Sequence, residues 1–217
     1  LTPTRHAFTT QKQFVGNIAH ELRTPLSIIK TNTEVALMGT KISEDTREIL
    51  VSNVEELDRI SDIINNLLSM NMLLRPEKIM FSNVDLASVI ERVKTSLSDF
   101  AEHKTIAVET RIAETRTVWG NVSGIEQIIL NVTKNALNYT NAGGSVSIVV
   151  EPSDHRHIGI TIEDNGSGIN EEDLGKIFEP FYRGDRSRNR GSGGGSGLGL
   201  AIVSELVKLH KGRIAIR

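Results

Sequence analysis

The chain has 217 residues, with 25 Lys and Arg against 27 Asp and Glu, a net charge of −2, 38% hydrophobic residues and 4% aromatic ones. That length holds one large domain or two small ones, and the near-neutral balance gives neither the basic footprint of a nucleic-acid-binding domain nor the charge density of a disordered chain. With no cysteine, disulfide scaffolds, thiolate zinc sites and cysteine nucleophiles are excluded, and no window approaches the ~18 consecutive apolar residues of a membrane span. The start, Leu1 to Thr10, reads as neither a signal peptide nor an initiator-Met terminus, so the chain is expected to be a soluble piece of something longer.

From about Arg5 to Gly39 the residues are good helix formers, and Phe14, Ile18, Leu22, Leu26 and Ile29 recur at helical spacing. Gly39 ends this helix. Ser43, followed by Glu44 and Asp45, starts a second, in which Ile49, Leu50, Val54, Leu57, Ile60, Ile64, Leu67, Leu68 and Leu74 form one stripe. Two helices of roughly 45 Å at about 1.5 Å per residue, joined by a short turn, make an antiparallel hairpin. A lone hairpin cannot bury both stripes, so a homodimer is expected, closing a four-helix bundle; packing against the rest of the same chain is the alternative.

Arg75-Pro76 stops the second helix, and from Asp85 the pattern becomes mixed. A helix is expected at about Leu86 to Lys104, β-branched strands at Thr105 to Ile112 and Thr117 to Trp119, and a helix at about Ser123 to Tyr139. Strands follow at Ser145 to Glu151 and His157 to Glu163. A Gly/Ser/Arg-rich stretch, Arg183 to Gly197, precedes a last helix at about Leu198 to Lys211, and a final strand is expected from Arg213. This part reads as an α/β sandwich.

The segment from Phe14 to Leu26 places Pro25 in mid-helix, where its ring removes an N–H and crowds the carbonyl of Glu21, loosening the helix beside His20 and Glu21. Thr24 shares the face of His20, one turn on. A lone helix histidine is ordinarily a solvated one. A neutral imidazole beside a carboxylate is also a competent nucleophile toward phosphorus, with Glu21 the candidate base. Asn131 and Asn135 put two carboxamides on one face of a later helix, able to offer carbonyl oxygens to Mg²⁺ and amide donors to phosphate, although a solvated helix face has the same pattern. In Asp164-Asn165-Gly166-Ser167-Gly168 the glycines permit a tight turn, and the carboxylate can accept from an exocyclic amine such as that of adenine. Gly193 to Leu200 runs into a helix N-terminus suited to phosphate, and the arginines from Arg183 to Arg190 suit a lid over nucleotide phosphates better than a nucleic-acid patch. No P-loop and no HRD or DFG set occurs in the sequence.

In order and spacing these elements resemble the catalytic core of the two-component sensor histidine kinases, along essentially the whole chain. His20 to Pro25 matches the H box, Asn131 to Tyr139 the N box, and Asp164-x-Gly166-x-Gly168 the G1 box. Phe178 to Arg183 resembles the F box, and Gly195-Ser-Gly197-Leu198-Gly199-Leu200 the G2 box. The resemblance implies a dimerisation and histidine-phosphotransfer hairpin over 1–78 and an ATP-binding α/β sandwich of the Bergerat type over 79–217, with further strands beyond Arg217. It implies transfer of the ATP γ-phosphoryl group to His20 and onward to an aspartate of a response regulator receiver domain. Asn131 and Asn135 would handle Mg²⁺ and phosphates, Tyr139 would line the nucleotide pocket, Asp164 would read adenine, and Arg183 would approach the γ-phosphate. Thr24 would orient a water if the protein also dephosphorylates its partner. Most relatives are membrane-anchored with this core on the cytoplasmic side. Two departures stand out: Asn138 where a basic residue is frequent, and His210-Lys211-Gly212 where His-Gly-Gly is common. The rival from another class is an ATP-binding dimeric scaffold without catalysis, against which the intact His20, Glu21 and both asparagines argue.

Overall fold

The structure, a computed structural model, describes residues 22–39, 42–73, 79–113, 117–184 and 196–216. It divides into two compact units, Leu1–Pro76 with Phe181–Leu198, and Glu77–Pro180 with Gly199–Arg217.

In the first unit, α1 (22–37) and α2 (Glu44–Leu73) are joined by a short turn. The Ala36 carbonyl accepts the Gly39 N–H at 3.1 Å, closing α1, and Ser43 Oγ accepts the Thr46 N–H at 3.3 Å, capping α2 where Glu44 and Asp45 favour the helix dipole. The hairpin is antiparallel. Arg23 donates to Asn65 Oδ1 at 2.6 Å, Lys30 to Asp58 Oδ1 at 2.5 Å, and Arg47 to the Leu37 carbonyl at 3.3 Å, so residues advancing along α1 meet residues receding along α2. Asp58 holds the Lys30 ammonium above the ordinary lysine pKa, against the opposing effect of burial. α1 continues unbroken through Pro25; the Glu21 carbonyl lies outside the described residues. Along α2, Ile64 is buried, whereas Leu22, Ile28, Ile29 and Val35 of α1 and Ile49 and Val51 of α2 are exposed in the single chain.

The second unit begins with β1 (Ser82–Asp85), followed by α3 (Leu86–His103), β2 (Ala107–Ile112), β3 (Thr117–Gly120), α4 (Val122–Tyr139), β4 (Ser145–Pro152) and β5 (Ile158–Asp164). The short α5 (Glu171–Leu174) and then α6 (Gly199–Leu209) complete it. β2 pairs parallel with β4 and β4 antiparallel with β5, while β1 and β3 form a separate antiparallel pair. Alternation along β4 sends Val146, Ile148 and Val150 into the core, where they join Leu86, Val89, Ile90, Val93 and Leu97 of α3 and Ile125, Ile129 and Leu137 of α4. α6 packs on α4 through Ala201, Ile202, Val203 and Leu206. The Asn121 side chain caps α4 by accepting the Gly124 N–H at 2.7 Å.

One strand expectation is overturned, and one strand was not expected. The run from Arg213 is not a strand: residues 213–216 carry no ladder, because no neighbouring segment among the described residues pairs with them. β1 is a strand that Ser-Asn-Val-Asp gives little reason to expect; pairing with β3 creates it, and Val84 is its one fully buried side chain.

Candidate nucleotide and phospho-acceptor sites

In the second unit the chain brings Asn131, Asn135, Tyr139, Asp164, Gly166 and Gly199 together around the C-terminal half of α4. The asparagines sit one turn apart and half-buried. Asn131 Nδ2 donates to the Gly199 carbonyl at 3.2 Å, which fixes the amide and leaves its Oδ1 as an acceptor. At the C-terminus of α4, Lys104 Nζ reaches the carbonyls of Leu137, Asn138 and Thr140 at 2.6, 3.0 and 3.0 Å. A cation on the last carbonyls of a helix satisfies groups that lack intrahelical partners.

Asp164 ends β5, and its Oδ1 accepts the Gly166 N–H at 2.9 Å. Gly166 lies so close to the Tyr139 carbonyl that any Cβ there would collide with it. The same carbonyl accepts the Ser167 N–H at 3.2 Å, so this loop is laced to the end of α4. Asn165 Oδ1 accepts the Ser145 N–H at 2.9 Å and ties the loop to β4. Gly168 follows in the left-handed region, φ +66, with open space where a Cβ would be. Tyr139 is exposed at the helix end, and Phe178 is half-buried in the turn after α5.

Phe181, Arg183, Gly197 and Leu198 belong to the segment grouped with the first unit. Phe181 is exposed and held at φ +65, and its N–H donates to the Gly197 carbonyl at 2.9 Å. Gly197, at φ +71, passes so near the Phe181 backbone that a Cβ would lie 2.8 Å from its carbonyl carbon. Phe181 carries a steric cost in the left-handed region, whereas Gly197 adopts it freely. Leu198 is fully buried, Arg183 is half-buried and partnered, and Ser196 Oγ accepts from Leu198 N at 3.3 Å and from Asn66 Nδ2 at 3.1 Å. Gly195 lies outside the described residues.

On the hairpin, Thr24 is exposed on α1, and next to it Arg23, Leu26, Ser27, Ser61, Ile64 and Asn65 line a cleft of about 210 Å³. His20 and Glu21 lie outside the described residues.

Among the described residues no cluster of three or more His, Cys, Asp or Glu could hold a metal. A hard cation here would therefore rely on amide oxygens and on a ligand's own phosphates, and the fixed Oδ1 of Asn131 fits that donor chemistry. Sequence reasoning missed Lys104 and Asn165. The turn-forming composition of Asp164-Asn165-Gly166 was a signal for Asn165; the local sequence around Lys104 carries none.

Residues 10–74 match the His Kinase A (phospho-acceptor) domain, and residues 120–217 match the histidine kinase-, DNA gyrase B- and HSP90-like ATPase family. The sensor histidine kinase CusS of Escherichia coli (strain K12) is 36% identical over 214 residues, covering 96% of this chain and 43% of CusS. The chain thus spans less than half of that relative. Among solved structures, full-length ShkA in complex with AMPPNP superposes with a TM-score of 0.65 at 25% identity, covering 91% of this chain and 41% of ShkA. The mycobacterial sensor histidine kinase MprB gives 0.51 at 33% identity, covering 61% of this chain and 81% of that structure. Both domain families fall on one chain, nearly all of which aligns with CusS, and the chain belongs to the sensor histidine kinases.

Proposed function

We propose that the chain is an ATP-dependent protein-histidine autokinase that phosphorylates His20 and passes the phosphoryl group to an aspartate of a response regulator receiver domain. The observation that supports this reading is the set Asn131, Asp164 and Gly166, whose orientation hydrogen bonds fix, with Asn135 one turn from Asn131 on α4, in a chain whose other domain matches a phospho-acceptor family. In this reading residues 1–78 form the dimerisation and phospho-acceptor domain, and 79–217 the ATP-binding domain.

Asp164 keeps one carboxylate oxygen on the Gly166 N–H and offers the other to the adenine amine, while Tyr139 flanks the base. Asn135 and the Asn131 Oδ1 hold the phosphate end, and both would hold Mg²⁺, whose charge offsets that developing on the phosphate oxygens. By the family likeness Phe178, Arg183, Gly195, Gly197, Leu198 and Gly199 would also take part in binding ATP. One ring nitrogen of His20 forms a bond to the γ-phosphorus as the bond to the β–γ bridging oxygen breaks and ADP leaves. Glu21 takes the proton from the other ring nitrogen. The aspartate carboxylate of the receiver then displaces the imidazole from phosphorus. Thr24, four residues after His20 in the sequence and exposed, would orient a water that attacks phosphorus of the phosphorylated receiver, releasing phosphate and the free aspartate.

The exposed Leu22, Ile28, Ile29, Ile49 and Val51 support a homodimer through the hairpin, since one hairpin leaves these apolar side chains in water. Among the described residues no helix is long and apolar enough to cross a membrane. The whole protein is anchored elsewhere in its length, with this core on the cytoplasmic side where ATP is available. Passage of label from γ-labelled ATP to the purified chain and then to a receiver domain tests the proposal; retention of ATP binding with no transfer at any receiver concentration would contradict it.

A further inference from the structure

α4 ends at Tyr139, and the carbonyls of its last turn have no partners within the helix. Thr140 serves that of Ala136, through its N–H at 3.0 Å and its hydroxyl at 2.7 Å. Two neighbours divide the rest. The Lys104 ammonium has three donors, and it meets the carbonyls of Leu137, Asn138 and Thr140 at 2.6, 3.0 and 3.0 Å. The Tyr139 carbonyl, between them, accepts the Ser167 N–H at 3.2 Å. The loop after β5 therefore rests on a carbonyl whose neighbours on both sides are held by Lys104.

Lys104 grips the far side of this turn as well. It is the C-terminal cap of α3, and Thr105 follows in the left-handed region, φ +53, a costly conformation for a β-branched residue. Beyond α4, the Lys104 carbonyl accepts the Gly143 N–H at 3.2 Å, and the Gly144 carbonyl accepts the Ala107 N–H at 3.0 Å. Residues 137–144 are thus fastened to the end of α3 at both of their ends.

The Asp164 loop is fitted closely to this same segment. Any Cβ on Gly166 would collide with the Tyr139 carbonyl, and one on Gly144 would lie 2.7 Å from Asn165 Oδ1. Contacts without slack transmit a displacement instead of absorbing it. Asn131 is secured separately, about two turns back along α4, by its bond to Gly199.

We propose that Lys104 is a positioning residue for the base half of the nucleotide site. By holding the Leu137, Asn138 and Thr140 carbonyls it sets the Tyr139 carbonyl, and through it the loop on which Asp164 presents its carboxylate to adenine. This inference rests on the nucleotide reading given above.

Lys104→Met keeps the aliphatic stem and removes the donors. Lys104→Gln, which keeps an amide donor, is the milder change and serves if Lys104→Met does not fold. ATP affinity by titration calorimetry and amide hydrogen exchange, both on the full chain, test the proposal. ATP should bind about tenfold more weakly to Lys104→Met and about threefold more weakly to Lys104→Gln. The Ser167 amide should exchange faster while amides along β4 keep the parent's rates. Combined with Asp164→Asn, either change should weaken binding by clearly less than the product of the two single effects, because both act through one carboxylate. Multiplicative effects in the double variant, or exchange quickened along β4 as much as at Ser167, would reduce Lys104 to general stability and overturn the proposal. ATP affinity unchanged in a folded Lys104→Gln would overturn it too. A parent chain that binds no ATP would instead defeat the nucleotide reading, and this inference with it.

Discussion

The side-chain amide of Asn131 donates to the carbonyl of Gly199, at 3.2 Å, and so joins the middle of α4 to the first residue of α6. The amide nitrogen thereby secures the helix that follows the Gly-rich stretch, and in the proposed function the amide oxygen faces the ligand. Asn131→Ala removes both. The α/β unit should lose about 1 kcal/mol of stability, and Mg²⁺-ATP should bind at least about tenfold more weakly by titration calorimetry. A variant that loses stability but keeps its ATP affinity would restrict Asn131 to a structural role.

Asp164→Asn retains an oxygen to accept the Gly166 N–H, so the loop against Tyr139 should persist. What disappears is the charged acceptor that the proposed function assigns to the adenine amine. ATP affinity is expected to fall by roughly tenfold or more at an unchanged melting temperature. Unchanged affinity would remove the adenine role.

Lys211 explains one departure from the family pattern. It sits in the left-handed region, φ +55, where α6 ends and the Gly212 N–H donates to the Val207 carbonyl at 2.9 Å. A side chain there carries a steric cost that glycine lacks, partly offset by glycine's greater freedom when unfolded. Lys211→Gly should stabilise the unit by about 0.5–1 kcal/mol, seen as a Tm higher by about 1–4 °C. A lower Tm would mean that Lys211 makes a compensating contact.

Thr24 is exposed on α1. Thr24→Ala should therefore leave autophosphorylation within about twofold of the parent and slow dephosphorylation of a phosphorylated receiver domain by about tenfold or more. The opposite pattern, with slow autophosphorylation and intact hydrolysis, would assign Thr24 to the forward transfer.

Much of this architecture is legible in the sequence because one face of each element is buried. Leu86, Val89, Ile90, Val93 and Leu97 mark α3, and Val146, Ile148 and Val150 mark β4, by spacing alone. β1 escapes because only Val84 among its four residues is fully buried, and the run from Arg213 misleads because β-propensity makes no ladder without a partner strand, and none pairs with it among the described residues. Asn131, Asn135, Asp164 and Gly166 are legible as a group since each stands in a short motif with a chemical reason. Lys104 is not: the carbonyls it serves lie 33 to 36 residues away, and only folding brings α3's end to α4's end.

The most direct measurement is incubation of the purified chain, and of His20→Ala, with γ-labelled ATP and Mg²⁺, scoring the protein-bound label for stability in acid and alkali. The account predicts label that is acid-labile, alkali-stable and absent from His20→Ala, while both proteins bind ATP equally. Label that persists in His20→Ala, or a parent chain that binds ATP and takes up none, would contradict it.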